Sequence, residues 1–211
     1  VKKVVALSTD KACNPVNLYG ATKLASDKLF IAGNSYSGKN MTRFSIVRYG
    51  NVMGSRGSII PLLLDQMVNN KFTITDKRMT RFMISLEEGV ELVWEAFEDM
   101  HGGEIYVKKI PSMKVTDIAS AIASDAEHEI IGIRPGEKLH EQMVGLEDAN
   151  YTYEYNSYYK ILPAIHKWDG DSNRIKDGVK VPEDFLYTSD NNNDWIIMGF
   201  LWGFNEVLMR F

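Results

Sequence analysis

The chain has 211 residues, 45% hydrophobic and 25% charged, a balance that excludes collagen-like, mucin-like and disordered classes and fits one large globular domain or a domain plus part of another. A formal net charge of -4 offers no basic field for nucleic acid or an anionic membrane. The single cysteine, Cys13, excludes an internal disulfide and points to a reducing compartment, and four scattered histidines without cysteine pairs argue against a metal site.

The opening Val1–Ser8 turns polar too soon for a signal peptide, and no uncharged apolar run reaches the roughly 18 residues of a membrane span, so a cytoplasmic protein is expected. Val4-Val5-Ala6-Leu7 lacks alternation and reads as a strand buried on both faces, as in a parallel sheet. From Leu18 to Ala32 the pattern predicts a helix stopped at Gly33-Asn34, and Phe44–Tyr49 predicts a second buried strand. Strand, helix, strand implies a right-handed crossover and an α/β fold.

The loop Asn51–Ser58 precedes a helix from Ile59 to Val68, a short strand at Phe72–Thr75 and the stretch Thr80–Ile84. A helix with acidic first-turn residues starts at Ser85 and runs to about Met100, ended by His101-Gly102-Gly103. A strand at Glu104–Val107, a helix at Val115–Ser124 and a strand at His128–Ile133 follow, then the turn Arg134-Pro135-Gly136-Glu137. Glu147–Ile161 is tyrosine-rich and strand-like, and Asp190–Asp194 is the most loop-like stretch. No Gly-rich turn follows the first strand, where a dinucleotide-binding domain would place one. Either the fold binds no dinucleotide, or a front half precedes these residues.

Chemistry concentrates at the end of the first strand. Ser8-Thr9-Asp10-Lys11 sits where open α/β sheets bind ligands, outside the carboxyl ends of strands. Tyr19 and Lys23, four apart, share one face at the start of the next helix. An ammonium beside a phenol favours the phenolate, which makes a usable base. Alone, a Tyr-x-x-x-Lys spacing is a weak signal, and an incidental surface match is the competing reading.

The segment from Ser8 to Lys23, Ser-Thr-Asp-Lys-Ala-Cys-Asn-Pro-Val-Asn-Leu-Tyr-Gly-Ala-Thr-Lys, resembles the active-site segment of the extended short-chain dehydrogenase/reductases. Within them it is similar to the soluble inverting UDP-N-acetylglucosamine 4,6-dehydratases of pseudaminic acid biosynthesis. The resemblance continues through Arg48–Ser58, Thr80-Arg81-Phe82, Lys109–Met113, Gly132–Glu141 and Tyr187–Asn191, covering about residues 1 to 195. Retaining dehydratases of this group carry Asp-Glu where Asp10-Lys11 stands, and membrane-anchored relatives carry Met at the position of Tyr19.

The resemblance implies a hydro-lyase chemistry. Tyr19 takes the C4 hydroxyl proton while hydride leaves C4 for NADP, with NAD the alternative. Lys11 removes the C5 proton, Asp10 protonates the departing C6 hydroxyl, and hydride returns to C6 with inversion at C5. Leu7, Ser8, Tyr19 and Lys23 would contact the cofactor. Thr9, Asn51, Val52, Met53, Gly54, Ser55, Arg56, Arg134 and Glu137 would contact the UDP-sugar, and no metal is expected.

Without the resemblance, Asn51–Ser58 reads equally as a plain connection, and Arg134–Glu137 as a turn with an exposed ion pair rather than a bidentate diphosphate grip. The tyrosines from 151 to 159 read as packing before nucleobase platform, as do Cys13, His128 and His140.

The expected architecture is the C-terminal part of a Rossmann-like doubly wound parallel sheet with a smaller α/β substrate-binding lobe. Residues 1–50 would supply late strands and the catalytic helix, and 51–194 the remaining sheet elements mixed with the lobe. Residues 195–211 form an atypical apolar tail, of which Ile196–Phe204 is apolar all round. The resemblance also implies a front half with the Gly-rich NADP turn, and a homo-oligomer when complete; residues 1–211 alone are expected to show no NADP affinity and no dehydratase activity. Two other readings stand beside it: a nucleotide-sugar 4-epimerase, which needs Tyr19 and Lys23 but no elimination pair, and a non-catalytic sugar-nucleotide-binding module.

Overall fold

The computed structural model describes residues 1–38, 41–164 and 171–196. The chain opens with β1 (Lys3–Thr9), α1 (Leu18–Tyr36) and β2 (Arg43–Tyr49). There follow β3 (Asn51–Val52), α2 (Ile59–Gln66), β4 (Lys71–Ile74), β5 (Thr80–Ile84) and α3 (Leu86–Asp99). Next come β6 (Ile105–Lys108), β7 (Ser112–Lys114), α4 (Val115–Ile122) and β8 (Glu127–Ile130). The later elements are β9 (Gln142–Val144), α5 (Leu146–Ala149), β10 (Thr152–Glu154), β11 (Tyr158–Ile161) and β12 (Val179–Lys180).

These elements fall into two units. The first takes Val1–Tyr49, Glu87–Lys109 and Gln142–Tyr187; the second takes Gly50–Leu86, Ile110–Glu141 and the stretch from Thr188. Residues 51–194 therefore contribute to both.

The first unit is built on a sheet ordered β1-β2-β6-β11-β10-β12. β1, β2 and β6 run parallel; β11 and β10 return antiparallel, as two strands joined by a three-residue connection must. Alternation along β2 explains why helices cover both faces. Phe44 meets Phe30 of α1, and Arg48 on the same face pairs with Asp27 of α1. Val47, on the other face, joins Leu92 and Ala96 of α3 with Met100 and Tyr106. A strand covered twice reads as an unbroken apolar run, which is the pattern the sequence shows at Ile46-Val47. β1 departs from that expectation: it pairs on one edge only among the described residues, and Leu7 is 55% exposed.

The second unit packs α2 and α4 around a core containing Leu63, Phe72, Ile74, Met83, Met113 and Ile118. Its strands form a β3-β5-β7 sheet and a parallel β4-β8 pair. Ile196 lies against this core and its amide donates to the Ser112 carbonyl. The rest of the expected apolar tail lies outside the described residues.

Three sequence expectations are corrected. α1 does not stop at Gly33-Asn34 but continues to Tyr36, because both residues serve β2. The Phe44 ring lies where a Cβ on Gly33 would come within 3.2 Å, and the Asn34 side chain bonds the Phe44 backbone twice. The start of the tyrosine-rich stretch is helical, with Gly145 as the cap residue and Glu147 and Asp148 at the positive end of α5. β7 and β9, three residues each, carry too little alternation to be read from sequence.

Asn34 accepts from the Phe44 amide at 2.9 Å and donates to the Phe44 carbonyl at 2.9 Å. Asn34→Ala strands the Phe44 amide, while the Phe44 carbonyl keeps its bond from the Gly103 amide, and is expected to lower unfolding free energy by about 1–3 kcal/mol, read as a reduced urea midpoint with unchanged slope.

Candidate active site

β1 ends in a single 3-10 turn, Asp10–Ala12, at the carboxyl end of the parallel strands. Thr9 shapes the turn: its hydroxyl donates to Asp10 Oδ1 at 2.8 Å and accepts from the Lys11 amide. Lys11 Nζ donates to the same Oδ1 at 3.0 Å. Asp10 is fully buried, and its other oxygen, Oδ2, has no hydrogen-bond partner among the described residues. Leaving a buried carboxylate oxygen unpaired costs on the order of 1–3 kcal/mol, so the turn holds a poised polar atom that a ligand hydroxyl can complete. Lys11 is one-third exposed and joins the buried carboxylate to solvent.

α1 starts against this turn. Asn17 caps it, accepting from the Gly20 amide at 2.8 Å. Gly20 is buried, and a Cβ there would lie 2.4 Å from the Lys11 carbonyl oxygen and 2.9 Å from Pro15 Cβ. Only a residue without a side chain lets the helix come this close to the catalytic turn. Tyr19 is half-exposed, its phenol makes no hydrogen bond among the described residues, and Lys23 Nζ lies 6.0 Å from its ring centroid. The carboxylate, ammonium and phenol read from sequence are therefore gathered at one end of β1 and α1. Leu7 is exposed one residue before Ser8.

The nicotinamide half of a dinucleotide fits this donor set, since a phenol and an ammonium on one helical face beside a strand end suit ribose hydroxyls and a reacting ring. Tyr19, Lys23 and Leu7 would hold it. Ser8 is engaged elsewhere: its hydroxyl is buried and donates to Asp27 Oδ2 at 2.9 Å.

Behind the turn lies a feature that sequence reading missed. Arg48, 3% exposed, donates to Asp27 at 3.3 Å and to the Met143 carbonyl at 2.8 Å, and sits 3.6 Å from Asp148. Burial opposes its charge, but Cys13, Asp148 and Asp27 together outweigh burial and raise its pKa above the ordinary value. The available signal was a charged residue inside the apolar run Phe44–Tyr49, with Asp27 two helical turns after Tyr19.

In the second unit, β3 pairs with β5 and the chain then turns twice, Ser55 donating to the Val52 carbonyl and Ser58 to that of Ser55. Val52, Met53 and Gly54 are half-buried while Ser55 and Arg56 are exposed. Asn51 Oδ1 and Ser58 Oγ are buried without partners among the described residues, so this loop too presents unfilled polar atoms. Arg134 and Glu137 close their turn on each other: Nη2 to Oε1 at 2.6 Å, and the Arg134 amide to Oε2 at 3.2 Å. That hydrogen bond holds Glu137 below the usual carboxylate range and raises Arg134.

The remaining candidates pack. Tyr155 stacks on Tyr158 at 4.8 Å, Tyr159 meets Phe185 and Tyr187, and burial pushes Tyr155 and Tyr159 up to about 12. His140 accepts or donates at Thr80 Oγ1, 2.7 Å away, and His128 lies beside Phe72. No group of three or more metal-ligating side chains occurs among the described residues. No described helix is long and apolar enough to cross a membrane.

Against known proteins, a family model described as polysaccharide biosynthesis protein matches residues 1–163. A UDP-N-acetylglucosamine 4,6-dehydratase (inverting) of Campylobacter jejuni subsp. jejuni serotype O:23/36 is 57% identical over 202 residues, 92% of this chain and 60% of the relative. A UDP-glucose 4-epimerase of Rickettsia bellii is 43% identical over 166 residues, 76% of this chain and 49% of the relative. Among solved structures, Pen from Bacillus thuringiensis superposes with a TM-score of 0.86 at 33% identity, covering 99% of this chain and 64% of that one. The chain thus spans 60% of the length of the curated dehydratase it matches.

Gly20→Ala places a methyl group against the Lys11 carbonyl and must push α1 off the turn. A destabilisation of about 1–3 kcal/mol by chemical denaturation is expected.

Proposed function

The chain belongs to the polysaccharide biosynthesis protein family, and from that premise we propose that it carries the catalytic turn and substrate loops of an inverting UDP-N-acetylglucosamine 4,6-dehydratase. The observation that carries this reading is the Asp10–Lys11 pair, with a buried Asp10 Oδ2 still lacking a partner.

A bound nicotinamide dinucleotide supplies the acceptor and donor of hydride, so it is regenerated within each turnover. Tyr19 takes the proton of the C4 hydroxyl, with Lys23 on the same helical face, its Nζ 6.0 Å from the Tyr19 ring centroid. A ketone at C4 acidifies the C5 hydrogen, and Lys11 removes it. Asp10, buried and hydrogen-bonded by Thr9, delivers a proton to the departing C6 hydroxyl, which leaves as water. The hydride lost from C4 is taken up at C6, and a proton returned to C5 from the opposite face gives inversion. Thr9 positions the pair, while Asn51, Val52, Met53, Gly54, Ser55 and Arg56 line a loop suited to the nucleotide. Arg134 exchanges part of its bond with Glu137 for the diphosphate.

The proposed cofactor is NADP, with NAD the alternative. Tyr19 in place of methionine supports the soluble, pseudaminic-type enzyme, and a single buried cysteine suits the cytoplasm. Leu18, Leu29 and Tyr36, all exposed on α1, support a homo-oligomer. A 4-epimerase is the second reading, favoured by the likeness to the Rickettsia enzyme; it uses Tyr19 but gives Lys11 no proton to remove.

Lys11→Met is expected to keep sugar-nucleotide binding and oxidation at C4 while losing C5 deuterium exchange and product. Tyr19→Phe should lose the oxidation as well. Near-normal formation of the C5-inverted product by Lys11→Met would reduce the Asp10–Lys11 pair to a loop-stabilising contact. Arg134→Lys is expected to weaken UDP binding by about 1–3 kcal/mol in calorimetry, as for loss of a charged bidentate hydrogen bond.

A further inference from the structure

The two halves of the proposed machinery stand on different elements: Asp10 and Lys11 follow β1, whereas Tyr19 and Lys23 belong to α1. Their separation is fixed only if β1 and α1 keep one register. Gly20 sets how close they come, but a close approach does not prevent the helix from sliding along the strand.

The polar chain behind the turn supplies that missing constraint. Ser8, two residues before Asp10, donates its hydroxyl to Asp27 Oδ2. Asp27 lies on α1, eight residues or about two turns beyond Tyr19. The same Oδ2 accepts from Arg48 Nη2, and Arg48 is anchored from β2 to the Met143 carbonyl and Asp148. Asp27 is 3% exposed, Ser8 5% and Arg48 3%, so solvent does not loosen these bonds. One carboxylate oxygen thus ties the catalytic strand, the catalytic helix and the neighbouring strand together.

Burial of an ion pair is poor evidence for stability, since apolar residues of similar volume commonly serve the fold as well or better. This one is also incompletely satisfied: Arg48 Nε is buried with no partner among the described residues. It borders a cavity of about 510 Å³ shared with Cys13, Asp27, Gln142, Gly145 and Asp148. A network that leaves a donor unpaired beside a cavity is badly suited to maximal stability and well suited to directional register.

We propose that Ser8, Asp27 and Arg48 are positioning residues that hold the Tyr19 helix in register with the Asp10–Lys11 turn. The inference rests on the dehydratase reading, in which Asp10, Lys11 and Tyr19 act on one sugar. None of the three positioning residues needs to touch substrate. Their loss should reduce the chemical step and leave sugar-nucleotide affinity in place, because a misplacement of about 1 Å costs roughly a hundredfold in rate.

The test compares the complete enzyme, including the cofactor-binding front half that the resemblance implies, with its Ser8→Ala, Asp27→Asn and Arg48→Lys variants and the paired replacement Asp27→Leu with Arg48→Met. The pair removes both buried charges together and leaves only the part-exposed Asp148 without its ion-pair partner. Thermal melting and UDP calorimetry establish that each variant is folded and binds; steady-state kinetics on UDP-N-acetylglucosamine then separate kcat from KM. The expected result for the double variant is wild-type UDP affinity, KM within threefold and kcat reduced about a hundredfold. Arg48→Lys, which keeps the charge opposite Asp27, should recover part of that loss. A folded double variant with wild-type kcat overturns the positioning role, as does a loss confined to KM. Ser8→Ala and Asp27→Asn with unchanged kcat would do the same should the double variant not fold. Absence of C5 deuterium exchange in the wild-type protein instead overturns the dehydratase reading on which the inference rests.

Discussion

The contact on which the site depends is the approach of α1 to the Lys11 carbonyl, where Gly20 leaves room for nothing larger than hydrogen. Asn17 starts the helix at that point, and its bond to the Gly20 amide points the first turn toward the end of β1. Tyr19 is therefore delivered beside Asp10 and Lys11 by backbone geometry, not by a contact of its own side chain. The phenol remains available for chemistry for the same reason: nothing among the described residues holds it.

Around that contact the buried polar groups divide into two kinds. Some are fully engaged in holding segments together. Glu104 accepts from Ser45, the Gly102 amide and Arg174, while Lys160 lies against Asp99, the Arg174 carbonyl and two tyrosine rings. Others are left with an atom unpaired among the described residues: Asp10 Oδ2 at the 3-10 turn, Arg48 Nε behind it, Glu95 Oε2 on α3, and Asn51 Oδ1 and Ser58 Oγ in the β3–α2 loop. Folded proteins pair nearly all buried polar atoms, so each exception calls for a physical reason. Three of these atoms fall on segments that the sequence singles out for chemistry, at Thr9–Lys11 and Asn51–Ser58, where a ligand supplies that reason; those of Arg48 and Glu95 lie outside them.

Legibility from sequence followed the range of the interactions concerned. β1, α1 and β2 were readable because apolar runs and helical periodicity are local signals, and Asp10, Lys11, Tyr19 and Lys23 because they lie within fourteen residues of one another. The extension of α1 past Gly33 was not readable, since it depends on Phe44, ten residues after Asn34. Leu7 is exposed although its apolar run reads as buried, because a strand's burial depends on neighbours that its own residues do not identify. The Arg48 network joins residues 8, 27, 48, 143 and 148, and no window on the sequence contains them together. Arg134 and Glu137 were readable as a turn, and their mutual bond is what the spacing alone implied; a diphosphate role for them comes from the resemblance.

The account turns on whether Lys11 and Asp10 carry out an elimination, beyond the oxidation that Tyr19 supports in epimerases and dehydratases alike. The direct measurement is turnover of UDP-N-acetylglucosamine in deuterated water, followed by proton NMR of the sugar. The account predicts a 4-keto-6-deoxy product carrying one solvent deuteron at C5, with that centre inverted. Recovery of the C4 epimer with hydrogen retained at C5 would contradict it.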